Sequence, residues 1–144
     1  LQIRVIDTDD FSKKIKKRIL DALGEQKAEY VSVKLHDGPS HKMFSNIHVL
    51  LIAFEKMIRV LEKNIDSCNK IDITGNFIAS EQAMEIKIQV NQGFSGDISN
   101  EDVQIIKLLL KPYNVSIADD VNEDSVILLL KVPTAEGLAN KKVA

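Results

Sequence analysis

Two long stretches of the chain repeat apolar residues at the spacing of an amphipathic helix. The first is predicted to run over residues 9–23, with Thr8 as its N-cap and Gly24 as the residue that ends it. The second is predicted to run over residues 46–64 and follows Ser45, another N-cap candidate. Its apolar stripe is broad, which indicates a helix that is buried on more than one side.

Shorter stretches alternate apolar with polar residues, or are rich in β-branched residues, as strands are. A third helix is predicted just after Ser99 and ends at Lys111, because Pro112 cannot continue a helix. Residues 119–124 are mostly acidic, and we interpret them as a turn between the last two strands. The predicted strands lie at residues 1–6, 30–35, 70–78, 83–90, 115–118 and 126–132.

The order of these elements predicts an α+β fold. Neighbouring strands that are joined by short turns are expected to pair antiparallel. Three helices that cover one face of a mixed, mostly antiparallel sheet make a two-layer α/β sandwich. We therefore predict one domain over residues 1–133, followed by a tail at residues 134–144 that is expected to be flexible.

Composition narrows the class of protein without indicating a function. A chain of 144 residues that is 44% hydrophobic and 28% charged can bury one core and stay soluble. Its 19 basic and 21 acidic residues give a net charge of −2, which argues against nucleic-acid binding. No apolar run approaches the roughly 18 residues of a membrane span, and the lone Cys68 excludes an internal disulfide. We expect a cytoplasmic protein without membrane contact.

Single polar residues offer little chemistry by themselves. His36, His41 and His48 have no cysteine and no second acid arranged near them, so we predict no metal site and interpret them as ordinary histidines. The first predicted helix has a basic side that would suit an acidic partner, but a solvated face is the simpler interpretation. This basic side consists of Lys13, Lys14, Lys16, Lys17 and Arg18.

Three segments carry a more specific pattern. Residues 49–59 read VLLIAFEKMIR, in the place of a helical motif of the form L-L-x-N-L-L-x-N-A-I-K. Residues 86–95 read IKIQVNQGFS, in the place of a strand that ends in D-x-G-x-G, and residues 105–133 read as a helix and two strands that end at a proline. With these segments in this order, residues 11–133 resemble the ATP-binding domain of histidine kinases, of the wider group that includes gyrase, heat-shock protein 90 and MutL.

The resemblance implies a nucleotide site, and the helical motif departs from it. The two asparagines of the motif correspond to Ile52 and Lys56, and the second of them ligates magnesium in the family. A charged lysine has no free lone pair and cannot ligate a metal ion. Glu55 keeps an acidic residue that many members have. It could organise a site, or it could pair with Lys56, Arg59 or a neighbouring strand, and the residues leave both interpretations open.

The glycine motifs depart further. Asn91 corresponds to the aspartate that reads adenine, and Gly93 keeps the first glycine of its motif, whereas Ser95 replaces the second. The family then has a flexible lid and a G-x-G-L motif, but here only residues 97–102 lie between Gly96 and the apolar part of the next helix. Three carboxylates would repel a triphosphate there, at a cost of a few kcal/mol or so for each close pair. They belong to Asp97, Glu101 and Asp102.

Taken with these departures, the resemblance predicts a non-catalytic signalling domain that has lost nucleotide binding and needs no cofactor or metal. Its degenerate nucleotide-site positions are Glu55, Lys56, Asn91 and Gly93. Expected partners are signalling proteins such as a response regulator, and a second copy of the chain. One alternative is a drifted but active histidine kinase domain that binds ATP and magnesium. The other is an unrelated α+β protein-binding module.

Overall fold

The computed structural model of the protein describes residues 2–35, 41–62, 70–90, 100–121 and 125–143. Its strands are β1 (Arg4–Asp7), β2 (Val31–Lys34), β3 (Lys42–Ser45), β4 (Ile71–Ile78), β5 (Ala83–Val90), β6 (Ser116–Val121) and β7 (Val126–Pro133). Its helices are α1 (Thr8–Leu23), α2 (Glu25–Ala28), α3 (Ile47–Leu61), α4 (Asn100–Leu110) and α5 (Ala135–Val143). Short 3₁₀ turns at Ala79–Glu81 and Lys111–Tyr113 follow β4 and α4.

Five strands form the main sheet, in the order β2-β4-β5-β7-β6. β2 and β4 are parallel, whereas the other neighbours in this sheet are antiparallel. β1 and β3 form a separate antiparallel ribbon. The predicted α+β class with a mixed, mostly antiparallel sheet is therefore confirmed. Within the described ranges, no helix is both long enough and apolar enough to cross a bilayer.

One face of the main sheet is apolar and packs against the helices. On β5, Ile86 and Ile88 are fully buried, while Lys87 between them is only partly buried. Their partners on β7 are Leu130 and Leu128, which are buried as well. The same buried cluster includes residues of α1, α3 and α4. The period of two along each strand thus creates the two layers that the sequence predicts.

Two aromatic rings join α1 to α3. The ring centroids of Phe11 and Phe54 are 5.4 Å apart and their planes make an angle of 81°, which is the edge-to-face geometry that aromatic rings prefer. Both side chains are almost wholly buried. This contact holds one side of α3 against α1.

The start of α3 differs from the prediction. Asn46, and not Ser45, is the N-cap, because its side-chain oxygen accepts hydrogen bonds from the backbone N–H groups of His48 and Val49 at 3.0 and 3.1 Å. Ser45 instead ends β3 with 1% of its surface exposed. The sequence shows no signal for β3, because a strand this short forms only through pairing with β1.

Two other boundaries move by a few residues. Asp7, and not Thr8, caps α1, since its carboxylate accepts a hydrogen bond from the Asp9 N–H at 2.9 Å. The predicted acidic turn begins later than residue 119, because β6 continues to Val121 and pairs with β7 over that length. Pairing with β7 outweighs the low strand preference of the two aspartates in β6.

The tail that is predicted to be flexible contains α5. Thr134 precedes this helix, and its hydroxyl donates to the carbonyl oxygen of Gln82 and accepts from the Gly137 N–H, both at 3.1 Å. Leu138 in α5 is 3% exposed. The sequence pattern misses this helix because it has few apolar residues, and because its anchor, Gln82, lies in the distant β4–β5 connection.

Candidate functional site

A cleft of about 340 Å³ opens between α3 and α4. Of the described residues, two cations and one carboxylate line it, together with aliphatic side chains. Ammonium and guanidinium groups donate hydrogen bonds and have no lone pair for a metal, so this lining suits an anionic group better than a cation. The lining residues are Lys56, Arg59 and Val60 of α3 and Asp102, Ile105 and Ile106 of α4.

Helical geometry brings the cations of α3 to one side. Ile52, Lys56 and Arg59 are exposed and follow one another at spacings of four and three residues, so they share the side of α3 that faces away from its buried stripe. Sequence reasoning singled out Lys56 but missed Arg59 as part of the same site. The spacing of three residues between the two cations was the available signal.

Glu55 lies away from this cleft. Its carboxylate is 4.0 Å from the Arg18 guanidinium of α1, and both side chains are about one-third exposed. It lines a smaller pocket between α1 and α3, with Ile15 and Leu51 among its neighbours. The structure therefore separates Glu55 from Lys56, although the two are adjacent in the sequence. The cation that it meets in the structure comes from α1, and not from Lys56 or Arg59 of its own helix.

Two predicted site positions, Asn91 and Gly93, lie outside the described residues, as does Asp97. β5 ends at Val90 and α4 begins at Asn100, so residues 91–99 make the whole connection between these two elements. Glu101 is exposed and does not line the cleft, whereas Asp102 does. Of the two expected carboxylates that the structure describes, Asp102 lines the cleft and Glu101 does not.

The described histidines do not form a cluster. The rings of His41 and Phe77 stack with their centroids 4.4 Å apart and an angle of 11° between the planes, and His48 lies in the first turn of α3. His36 is outside the described residues. In the part of the chain that the structure describes, no group of three or more histidine, cysteine, aspartate and glutamate residues is arranged to hold a metal ion.

The basic side of α1 is partly neutralised by its own helix. Lys13 lies 3.5 Å from Asp9, and Lys14 lies 3.3 Å from Asp10, each pair one helical turn apart. All four side chains are more than half exposed. These pairs support the interpretation of this side as a solvated face.

Comparisons with known proteins reveal likeness in structure and none in sequence families. No protein-family model matches the chain, and no curated protein matches it. The solved structure of histidine kinase AdeS from Acinetobacter baumannii is 14% identical, with a TM-score of 0.69 over 94% of this chain and 68% of that chain. Histidine kinase ShkA, solved in complex with AMPPNP, is 9% identical, with a TM-score of 0.70 over 92% of this chain and 31% of that chain.

A third relative is represented in two states. The isolated catalytic domain of histidine kinase ThkA, free of nucleotide, is 8% identical, with a TM-score of 0.66 over 93% of this chain and 97% of that chain. ThkA in complex with the response regulator protein TrrA gives a TM-score of 0.69 at 8% identity, over 92% of this chain and 42% of that chain. At such low identity the likeness concerns the fold, and the chain has the ATPase fold of histidine kinase catalytic domains.

Proposed function

We propose that this chain is a signalling domain that keeps the histidine-kinase ATPase fold, does not bind nucleotide, and acts through protein contacts in two-component or phosphorelay signalling. Lys56 is the observation that carries the proposal. It lines the α3–α4 cleft, at the position where the resemblance places the asparagine that ligates magnesium. A cation at this position would repel the metal ion that triphosphate binding needs.

The side chains of the cleft do not fit magnesium bound to triphosphate. Magnesium requires oxygen ligands in near-octahedral geometry, from one or two protein groups together with phosphate and water. Ile52 and Lys56 hold the two asparagine positions, and neither side chain has an oxygen atom. Among the described lining residues, Asp102 is the single carboxylate, and it lines the same cleft as Lys56 and Arg59.

The connection between β5 and α4 also supports the loss of nucleotide binding. In the resembling family a lid and a second glycine motif occupy this place, and the glycines let backbone N–H groups approach phosphate. Here residues 91–99 must make the whole connection. That length leaves little chain for a lid.

Response regulators are the first partners to test. ThkA, which has the same fold, is solved in complex with the response regulator protein TrrA. A domain that has lost its nucleotide can still dock a partner, because docking depends on exposed side chains and does not by itself require a bound nucleotide.

One observation favours the alternative of a drifted kinase domain. The cleft is open, encloses about 340 Å³ and carries two cations that would attract phosphate. ShkA, of the same fold, is solved with AMPPNP. Binding of ATP without the family's asparagines would then depend on Lys56 and Arg59.

Calorimetric titration separates the two functions. We expect no saturable heat from ATP, with or without magnesium, up to about 1 mM nucleotide, a limit that corresponds to about −4 kcal/mol. Lys56→Asn is the matched variant. We expect it to give no saturable heat from ATP either, because the connection at residues 91–99 is unchanged. Saturable, magnesium-dependent heat from the unmodified protein would overturn the proposal in favour of an active kinase domain. Binding of a purified response regulator without nucleotide would support it.

A further inference from the structure

A second groove, of about 540 Å³, lies between α4 and β6, and we call it the edge groove. Leu108 in its wall is 68% exposed. Among the residues that the structure describes, two lysines and no carboxylate line it, although the chain as a whole has a net charge of −2. An acidic, extended segment is therefore its complement. The lining residues are Gln104, Lys107, Leu108, Lys111, Asn114, Val115, Ser116 and Ile117.

The strand beside the edge groove can accept another strand. In the described part of the chain, β6 is the terminal strand of the main sheet and pairs with β7 alone. One of its edges therefore presents backbone N–H and C=O groups to an incoming strand. An occupant that pairs with this edge would lie along the edge groove, next to Leu108.

The chain contains a strand of the required chemistry, which is β6 itself. Asp119 and Asp120 are exposed near its end. Ile117 and Asp119 are paired with Leu130 and Leu128, both buried, so their side chains lie on the helix side of the sheet. Ile117 is buried there, while Asp119 is exposed. The carboxylate of Asp119 thus lies on the face of the sheet where the edge groove lies.

We propose that the edge groove receives β6 of a second copy of this chain, in an antiparallel two-fold pairing centred on Ala118. Side chains that lie opposite each other in an antiparallel pair point to the same face of the sheet, whereas consecutive residues of one strand point to opposite faces. A residue of β6 therefore cannot lie opposite its neighbour in sequence, and the two-fold axis must pass through a residue position. A centre at Asp119 would place this aspartate opposite its own copy, which is unfavourable. A centre at Ala118 places Asp119 of the second copy opposite Ile117, beside Lys107 and Lys111.

The two-fold symmetry repeats each contact. Both copies offer the same lysines and the same aspartate, so every attraction between them occurs twice. The contact involves one short strand and part of one helix, which is typical of a weak dimer that forms only at high concentration. The pairing uses no residue of the α3–α4 cleft, so it stands whether or not the protein binds nucleotide.

Sedimentation of the full chain over concentrations from about 10 µM to about 1 mM tests the proposal. We expect a monomer–dimer equilibrium that Lys111→Glu or Asp119→Lys each weakens about tenfold, and that the double variant restores. Lys34→Glu on β2, at the opposite edge of the sheet, is the matched control and should leave association unchanged. A monomer throughout, single variants without effect, or a double variant as weak as the single ones would overturn the proposal.

Cross-linking tests the register independently. In a Cys68→Ser background, Ala118→Cys places a thiol at the two-fold centre, where strand pairing brings the two Cα atoms within about 4.5–5.5 Å. We expect oxidation to yield a disulfide-linked dimer that keeps its secondary structure. Lys34→Cys in the same background is the control. Equal cross-linking of both variants, or higher oligomers in place of a dimer, would overturn the two-fold pairing.

Discussion

The guanidinium of Arg18 lies 4.0 Å from the carboxylate of Glu55, on the side of α3 that packs against α1. Lys56, the next residue, lines the cleft between α3 and α4. The adjacent residues Glu55 and Lys56 therefore belong to two different surfaces of α3. The acidic residue that the family resemblance retains belongs to a helix–helix contact, and the departure from the family lies in the cleft.

Replacement of Glu55 by glutamine is expected to have little effect on folding. Both partners are about one-third exposed and meet at the limit of ion-pair distance, so water screens much of their attraction. Urea unfolding of Glu55→Gln should give a free energy of unfolding within about 1 kcal/mol of the unmodified protein. Lys56→Gln is the neighbouring control. A loss of more than about 2 kcal/mol would mean that Glu55 has a buried role that the ion pair does not explain.

The edge-to-face contact of Phe11 and Phe54 is expected to stabilise the fold by more than the burial of apolar area alone accounts for. A double-mutant cycle with Phe11→Leu and Phe54→Leu should give a coupling energy of about 0.5–1.5 kcal/mol in urea unfolding. The same cycle between Phe11 and Phe77, which stacks on His41 instead, should give none. Equal coupling in both cycles would show that the effect is general loosening of the core and not ring geometry.

Gly75→Ala is expected to destabilise the sheet. A Cβ atom at this position would collide with the backbone carbonyl of Leu35 and lie 2.7 Å from the Met84 Cε atom. The methionine end can move, but the backbone of Leu35 cannot move freely, so we expect a loss of about 2–3 kcal/mol in thermal or urea unfolding. Asn76→Ala, at the next and exposed position, should change stability by less than about 0.5 kcal/mol. A stable Gly75→Ala variant would contradict this packing.

Thr134→Val is expected to loosen α5. The change keeps the shape of the side chain and removes the hydroxyl that accepts from the Gly137 N–H and donates to Gln82. Loss of an N-cap costs about 1 kcal/mol, so amide hydrogens of α5, including that of Leu138, should exchange several-fold faster. Thr134→Ser retains the hydroxyl and should protect these amides as the threonine does. Unchanged exchange in the valine variant would mean that packing of Leu138 alone holds the helix.

The sequence by itself determined the elements whose patterns are local. The alternation over residues 83–90 coincides with β5, and the apolar stripe of α3 and the glycine that ends α1 are read from a few neighbouring residues. The order of these elements, together with three short segments, indicated the histidine-kinase ATPase fold, even though AdeS, ThkA and ShkA are at most 14% identical to the chain. Burial of one face of a strand or helix imposes a hydrophobic period on the sequence, and this period is retained where the motif residues have been replaced.

Tertiary structure decided what depends on distant partners. β3 forms because β1 is beside it, α5 is anchored because Gln82 meets Thr134, and Glu55 is matched by a cation from another helix. The meeting of Lys56 with Asp102 in one cleft likewise depends on how α3 and α4 pack. No periodic pattern in the sequence indicates these pairings, because each joins residues that are far apart in sequence and close only in the folded protein.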